Sequence, residues 1–315
     1  MKRAAFVIVA VLATSLATAC APTSAPPSAP ALTLRVGTLQ TDDLLPLWVA
    51  ESKGWLTDAG LDVRITTFLS AQEQTAAVTA GQIDAIMTDM VVGAQLTASG
   101  VPMVFVTQMQ GAPAGVVAGP GTGITRPADL ASVETGCASP TILEYIYDRA
   151  LHDAGVPDGQ IKTTEIKKLP VRLQMLLSGQ IKAAVLPWTL YHLALAQGAA
   201  PVLGPGQVGG YTSTVLAFRS GWLAQTGSTD FVVNLLGAWN RAVDVVNADP
   251  DGQRALLAGK ANLPSPLDTT YPVRHYPQTG APPTAQVDDV LTWMRAKGYL
   301  TGDLTSDDLL SWKQQ

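Results

Sequence analysis

Three aspartates, Asp42, Asp43 and Asp89, stand just beyond runs of apolar residues that read as strands, with Gln40 and Thr41 before the first pair and Thr88 before the third. A carboxylate there can bond a cationic or amine-bearing molecule, or it can cap the helix that follows; both readings stand. Ser70 with Gln72, and Ser139 with Thr141, occupy the same kind of position ahead of helical patterns. Their hydroxyls suit an N-cap, and the free N–H groups beside them suit an acceptor on a ligand. Trp188 directly follows the apolar run Ala183 to Pro187, and with Trp48 and Tyr191 it is a candidate for an aromatic wall. Packing explains Trp188 equally well and Trp48 better. Tyr211 and Thr212 complete the set, where the chain is expected to return between lobes.

Catalytic chemistry finds little support. His152, His192 and His275 are the only histidines, and none has a neighbouring His, Cys or carboxylate at metal-ligand spacing. No serine elbow, phosphate loop or cysteine cluster is present. We therefore assign no catalytic residue, metal or cofactor. A small-molecule enzyme on the same fold is the competing class; a signalling sensor lobe is a third.

The elements that must position these residues lie beyond an export segment. Lys2 and Arg3, the apolar run Ala4 to Ala13 and the small residues up to Cys20 have the layout of a cleaved secretory signal, residues 1–20. Ala17, Thr18 and Ala19 before Cys20 resemble a bacterial lipobox, which implies lipidation at Cys20, although Leu16 stands one place earlier than that pattern prefers. An ordinary signal cut nearby is the other reading. Residues 21–31, rich in Ala, Pro and Ser, read as a semi-rigid tether. The expected location is outside the cytoplasm, with the lipid holding the chain to the outer face of the cytoplasmic membrane. Loss of Lys2 and Arg3 leaves 18 basic and 25 acidic residues, a balance of −7, which argues against nucleic acid as a partner. Cys137 is the other cysteine and reads as a small buried hydrophobe.

From Leu32 onward strands alternate with single helices, which implies parallel pairing in open α/β sheets. The run Ala80 to Met87 is echoed 98 residues later by Ser178 to Val185, each with a glycine that ends a helix and opens a strand. In both copies a Gly and a Pro then precede another apolar strand, as Gly100 and Pro102 and as Gly198 and Pro201. We read two similar lobes, the second inserted into the first: 32–118 begins lobe I, 119–212 is lobe II, and 213–315 completes lobe I with C-terminal helices. The crossings are expected at Ala114 to Pro120 and at about Tyr211 to Arg219, with Gly119, Gly121 and Gly123 serving as hinge or simply as turns.

At this point the run from Val36 to Thr88 resembles the periplasmic solute-binding proteins of the taurine, alkanesulfonate, nitrate and thiamine-precursor group. The residues carrying the likeness are Val36 to Asp43, then Pro46, Ala50, Lys53, Gly54 and Trp55, then Leu61 to Phe68 and Gly81 to Thr88, with Thr125 and Pro127 to Leu130 at the entry to the second lobe. The resemblance implies a two-lobed type II binding-protein fold, a small-molecule ligand in the inter-lobe cleft, and an ABC permease with its ATPase as partner; a monomer is expected. In such sheets ligands sit beyond the carboxyl ends of strands. That rule selects Gln40, Thr41, Asp42, Trp48, Ser70, Gln72, Thr88, Asp89, Ser139, Thr141, Trp188 and Tyr211. No Lys or Arg lies on those loops, so the expected ligand is a neutral or cationic heteroaromatic such as a thiamine-precursor pyrimidine. An anion, such as a sulfonate, nitrate or bicarbonate, is the alternative.

Overall fold

The apolar alternation Leu34, Val36 becomes β1 (Thr33–Leu39), with both side chains fully buried. A computed structural model describes residues 32–109, 114–208, 211 and 214–312. The export segment 1–20 with Cys20, the tether 21–31 and Thr212 lie outside the described residues.

After β1 the chain runs through α1 (Leu45–Ser52), α2 (Trp55–Asp58), β2 (Asp62–Phe68), α3 (Ala71–Thr79), β3 (Ala85–Asp89), α4 (Met90–Ala98) and β4 (Met103–Met109). It then makes β5 (Ala114–Ala118), β6 (Glu134–Cys137), α5 (Ile142–Asp153), β7 (Lys162–Glu165), α6 (Leu169–Leu177), β8 (Ala183–Pro187), α7 (Trp188–Ala196), β9 (Ala200–Leu203) and α8 (Pro205–Val208). The remainder forms β10 (Thr214–Arg219), α9 (Ser220–Leu223), α10 (Ser228–Ala248), α11 (Pro250–Lys260), α12 (Leu267–Thr270), α13 (Thr284–Ala296) and α14 (Ser306–Leu309).

Two five-stranded sheets result, ordered β2-β1-β3-β10-β4 and β7-β6-β8-β5-β9. Their layouts are equivalent. In each, one strand lies parallel to both its neighbours, as β1 beside β2 and β3, or β6 beside β7 and β8. In each, one antiparallel strand is then inserted: β10 between β3 and β4, or β5 between β8 and β9. The internal echo therefore maps onto the central strands β3 and β8. Gly81 (φ 71°) and Gly179 (φ 75°) both hold the left-handed conformation that ends the preceding helix, which is the physical reason for a glycine at both places.

The crossings lie elsewhere than expected. Ala114–Ala118 is not a link but β5, already inside the second sheet; residues 110–113, which precede it, lie outside the described residues. Thr214–Arg219 is likewise β10, inside the first sheet. Both segments are short and apolar, so their pattern alone did not separate a buried strand from a connection. Gly121 and Gly123, with φ of 73° and 74°, make a turn after β5, within the second lobe.

The first lobe's core is built by α10, whose buried Phe231, Leu235, Trp239, Ala242 and Val246 recur at helical spacing and pack on α1. The C-terminal helices were expected on the first lobe alone, but α13 touches both. It packs on α4, while its Asp289 accepts from Arg149 of α5 at 2.6 Å and its Trp293 donates to Asp148 of α5 at 3.0 Å.

Candidate functional site

The carboxyl ends of β1 and β3 and the start of α3 face the loops after β6, β7 and β8, and the lobes meet across the gap. Thr189 Oγ1 donates to the Gln40 carbonyl at 3.2 Å, Lys168 Nζ lies 3.8 Å from Glu73, and His192 meets the Tyr271 ring edge-on. Between them lies a cavity of about 70 Å³. Lobe I contributes Thr41, Asp43, Thr88, Asp89 and Thr214, and lobe II contributes Thr141, Lys167 and Arg172, with Leu39, Met87, Ile142, Leu143 and Leu169 among the apolar walls. A more polar recess shares Ala71, Ala138, Thr141 and Lys167 with this cavity and adds Gln72, Gln95 and Ser139.

Arg172, on α6, is fully buried. Its Nε and Nη2 donate to the Ile166 carbonyl at 3.0 and 2.6 Å, and its Nη1 donates to the Val185 carbonyl at 2.7 Å. A guanidinium carries five N–H donors, so two remain. Among the described residues no carboxylate lies within 4.0 Å of it. Burial pushes its pKa down. Two carbonyl dipoles orient the group, but they do not cancel its charge.

The acidic side is organised differently. Asp42 is 3% exposed and is bound by Tyr271 Oη at 3.1 Å and Arg274 Nε at 3.0 Å. Arg274 Nη2 also donates to Asp43 at 2.8 Å, and Thr41 Oγ1 donates to the other Asp43 oxygen at 2.6 Å. Burial pushes the Asp43 carboxyl up, against the pull of Arg274. Tyr276 Oη donates to the Asp42 carbonyl at 2.7 Å, so the segment after α12 holds the whole β1–α1 loop. Asp42 is thus a structural ion-pair partner rather than a free ligand group.

Asp89 caps α4, accepting from the Val92 N–H at 2.9 Å. The N–H groups of Val91 and of Ile142, the first residue of α5 in the other lobe, also act on it. Burial nevertheless dominates and raises its pKa to about 6. A carboxyl held above its unfolded value binds more protons folded than unfolded between the two values, so its ionisation removes stability as pH rises through that window. Asp89→Asn, which keeps a capping oxygen, is expected to stabilise the ligand-free protein by about 1–3 kcal/mol above pH ~6 and to gain nothing near pH ~4. Urea midpoints at the two pH values check this; an equal shift at both would show that ionisation is not the cause.

The other expected residues divide. Thr41, Thr88 and Asp89 meet in the cavity, Thr141 borders both spaces, and Gln72 and Ser139 line the recess. Gln40 supplies its carbonyl to Thr189. Ser70 is the N-cap of α3, accepting from the Glu73 N–H at 3.2 Å. Thr141 does not cap α5 through its hydroxyl, which donates to the Ala138 carbonyl at 2.7 Å. Trp48 is core, 1% exposed. Trp188 stacks on Tyr191 at 4.9 Å and is not on the cavity wall. Tyr211 leans edge-on against Tyr145 and bonds Asp153 of α5, outside the cavity. Cys137 is buried, and burial pushes its thiol up to about 12.

Sequence reasoning missed Lys167, Arg172 and Arg274. The strand β7 is short and polar and has no apolar alternation to mark it; Ile166 followed by Lys167, Lys168 and Pro170 is the signal of a strand end entering a helix.

Comparison with solved structures gives the same architecture at low identity. The periplasmic aliphatic sulphonate binding protein SsuA from Escherichia coli superposes with a TM-score of 0.75 at 19% identity, covering 90% of this chain and 93% of that one. The alkanesulfonate-binding protein SsuA from Xanthomonas axonopodis pv. citri, bound to MOPS, gives 0.74 at 19%, covering 89% and 98%. The periplasmic nitrate-binding protein NrtA from Synechocystis PCC 6803 gives 0.66 at 16%, covering 85% and 82%. No curated protein sequence matches the chain. The type II periplasmic-binding-protein fold is thereby established. A family model described as NMT1/THI5 like matches residues 41–253, about two thirds of the sequence, and the chain belongs to the NMT1/THI5-like family.

Proposed function

We propose that this chain is the solute-binding component of an ABC import system, and that its lobes close around a small anion. The observation that carries this reading is Arg172, a buried guanidinium on the cavity wall with two N–H donors to spare and no carboxylate within ion-pair distance among the described residues. A buried charge is stable only when paired, and a bound anion supplies the pair. The sulfonate- and nitrate-binding neighbours, both named for anions, agree with it. The case for a neutral or cationic heteroaromatic rested on Asp42, Asp43 and Asp89; Arg274 pairs with the first two and Asp89 caps α4.

Binding rather than turnover fits the walls, whose described residues include no Cys, His or Ser. Export, lipidation at Cys20 and delivery by a monomer to a permease with its ATPase complete the reading. Among the described residues no helix is long and apolar enough to cross a membrane, and a lipid on Cys20 would serve as the anchor. Closure follows from differential affinity: an anion that touches both lobes favours the state in which they meet.

A thermal-shift screen of sulfonates, nitrate, bicarbonate, amino-pyrimidines and polyamines tests the proposal. A ligand at about 100 times its Kd adds about 2.7 kcal/mol to stability. Stabilisation by an anion is expected. Stabilisation by amino-pyrimidines or polyamines alone would overturn the anion, and turnover of a stabilising compound would return the enzyme reading.

A further inference from the structure

Helix α13 lies outside the cavity and engages both lobes, but by different means. Towards lobe I it is apolar: Val287, Val290, Leu291 and Met294 are buried, the helix packs on α4, and Gln286 accepts from Gln108 of β4 at 2.6 Å. Towards lobe II it is polar, and the links run to α5. Asp289 accepts from Arg149 at 2.6 Å and from Tyr145, and Trp293 donates to Asp148 at 3.0 Å. Just past the helix, Lys297 lies 2.8 Å from Asp148 and 3.2 Å from Glu144, and Tyr299 donates to Glu144 at 2.8 Å. The seam is not tightly packed: a crevice of about 350 Å³ runs along it, between Arg149 and His152 of α5 and Thr292 and Trp293 of α13. Glu144 follows Ile142 and Leu143, which line the ligand cavity, and its side chain is 3% exposed. One of its oxygens takes both Lys297 and Tyr299, and the other has no hydrogen-bond partner among the described residues. Asp148, one turn along α5, is 13% exposed. Two carboxylates held this far from water are tolerated while a cation bonds both, and Lys297 is that cation.

We infer that α13 is a latch: anchored on lobe I by apolar packing, it holds lobe II through the polar seam with α5 and so sets how readily the lobes part when no ligand is bound. The two faces divide the work. Exposing the apolar face costs free energy in any arrangement, so the helix stays with lobe I, whereas the polar seam exchanges its partners for water when the lobes separate. Separation also hydrates Glu144 and Asp148, so the hold depends on the charge of Lys297 more than on contact area. A strong latch keeps the cavity shut without ligand, and a weak one leaves more of the closing to the ligand. The inference rests on the reading that the lobes open and close, and it holds whichever compound the cavity takes. Its test uses no ligand, so it stands or fails separately from anion capture.

Small-angle X-ray scattering of the ligand-free, full-length protein at neutral pH, beside urea unfolding, tests the latch in wild type, Lys297→Met and Asp289→Asn. Methionine keeps much of the lysine's apolar stem and removes its charge, and asparagine keeps an acceptor for Arg149 and Tyr145. Lys297→Met is expected to raise the ratio of open to shut molecules about tenfold, read as a larger radius of gyration in a chain that still unfolds cooperatively. Asp289→Asn breaks a pair whose side chains are 47% and 31% exposed, so it is expected to move the ratio the same way by about threefold. It carries the test alone if the first variant folds poorly. Scattering equal to that of the wild type in the folded variants overturns the inference, with or without a lower urea midpoint, since the seam would then support the fold and not the spacing of the lobes. A smaller radius of gyration in either variant overturns it too, because the seam would then be holding the lobes apart.

Discussion

Arg274→Met is expected to destabilise the protein by about 3–5 kcal/mol at neutral pH, because it leaves two buried carboxylates without a counter-charge. Asp42 and Asp43 sit side by side on the β1–α1 loop, 4% and 14% exposed at their side chains, and Arg274 binds both. Methionine fills much of the same volume, so the loss is electrostatic rather than a cavity. The sign with pH follows from linkage. Burial already pushes the Asp43 carboxyl up against the pull of Arg274, so without the guanidinium it rises further above its unfolded value, the folded variant binds more protons, and its deficit shrinks as pH falls through the carboxylate range. Urea unfolding of variant and wild type at about pH 7 and about pH 4 checks this. A wild-type midpoint at neutral pH would mean that the two aspartates are solvated and that Arg274 holds nothing.

Arg172→Met is expected to reduce affinity for the anionic ligand by about a hundredfold, the loss of charge-assisted hydrogen bonds from a buried group. Stability should change far less than binding. The substitution leaves the carbonyls of Ile166 and Val185 short of donors, but it also removes the desolvation of a buried cation. Calorimetric titration beside a thermal melt separates the two effects. Unchanged affinity in a folded variant would remove Arg172 from the site and with it the main support for an anion.

Much of the architecture was legible without coordinates. Period-two runs such as Leu34 and Val36, the helical recurrence from Phe231 to Val246, and the echo around Gly81 and Gly179 each depend on local chemistry: alternation of faces, helical spacing, and a left-handed cap that glycine adopts without strain. The site was half legible for the same reason. Thr41, Thr88, Asp89 and Thr141 lie where strand ends must open into the cleft, and strand ends can be read from a single segment.

The charge of the site could not be read that way. Arg274 lies 232 residues from Asp42, in a stretch with no helix or strand pattern of its own, and only the packing of the segment after α12 on the β1–α1 loop brings them together. Arg172 lies on the helix α6 among Leu169, Leu173 and Leu176, and it is the fold that buries it at the cavity wall. The two strands beside the crossings were misread because membership of a sheet is decided by pairing partners far along the chain: β5 with β8, β10 with β3. The amino-acid order alone thus determined two α/β lobes and where their shared cleft must open, since those follow from short-range periodicity. Which charges face that cleft, and which are already neutralised, was decided by tertiary structure alone, because electrostatic balance depends on distances between residues that the chain itself does not place side by side.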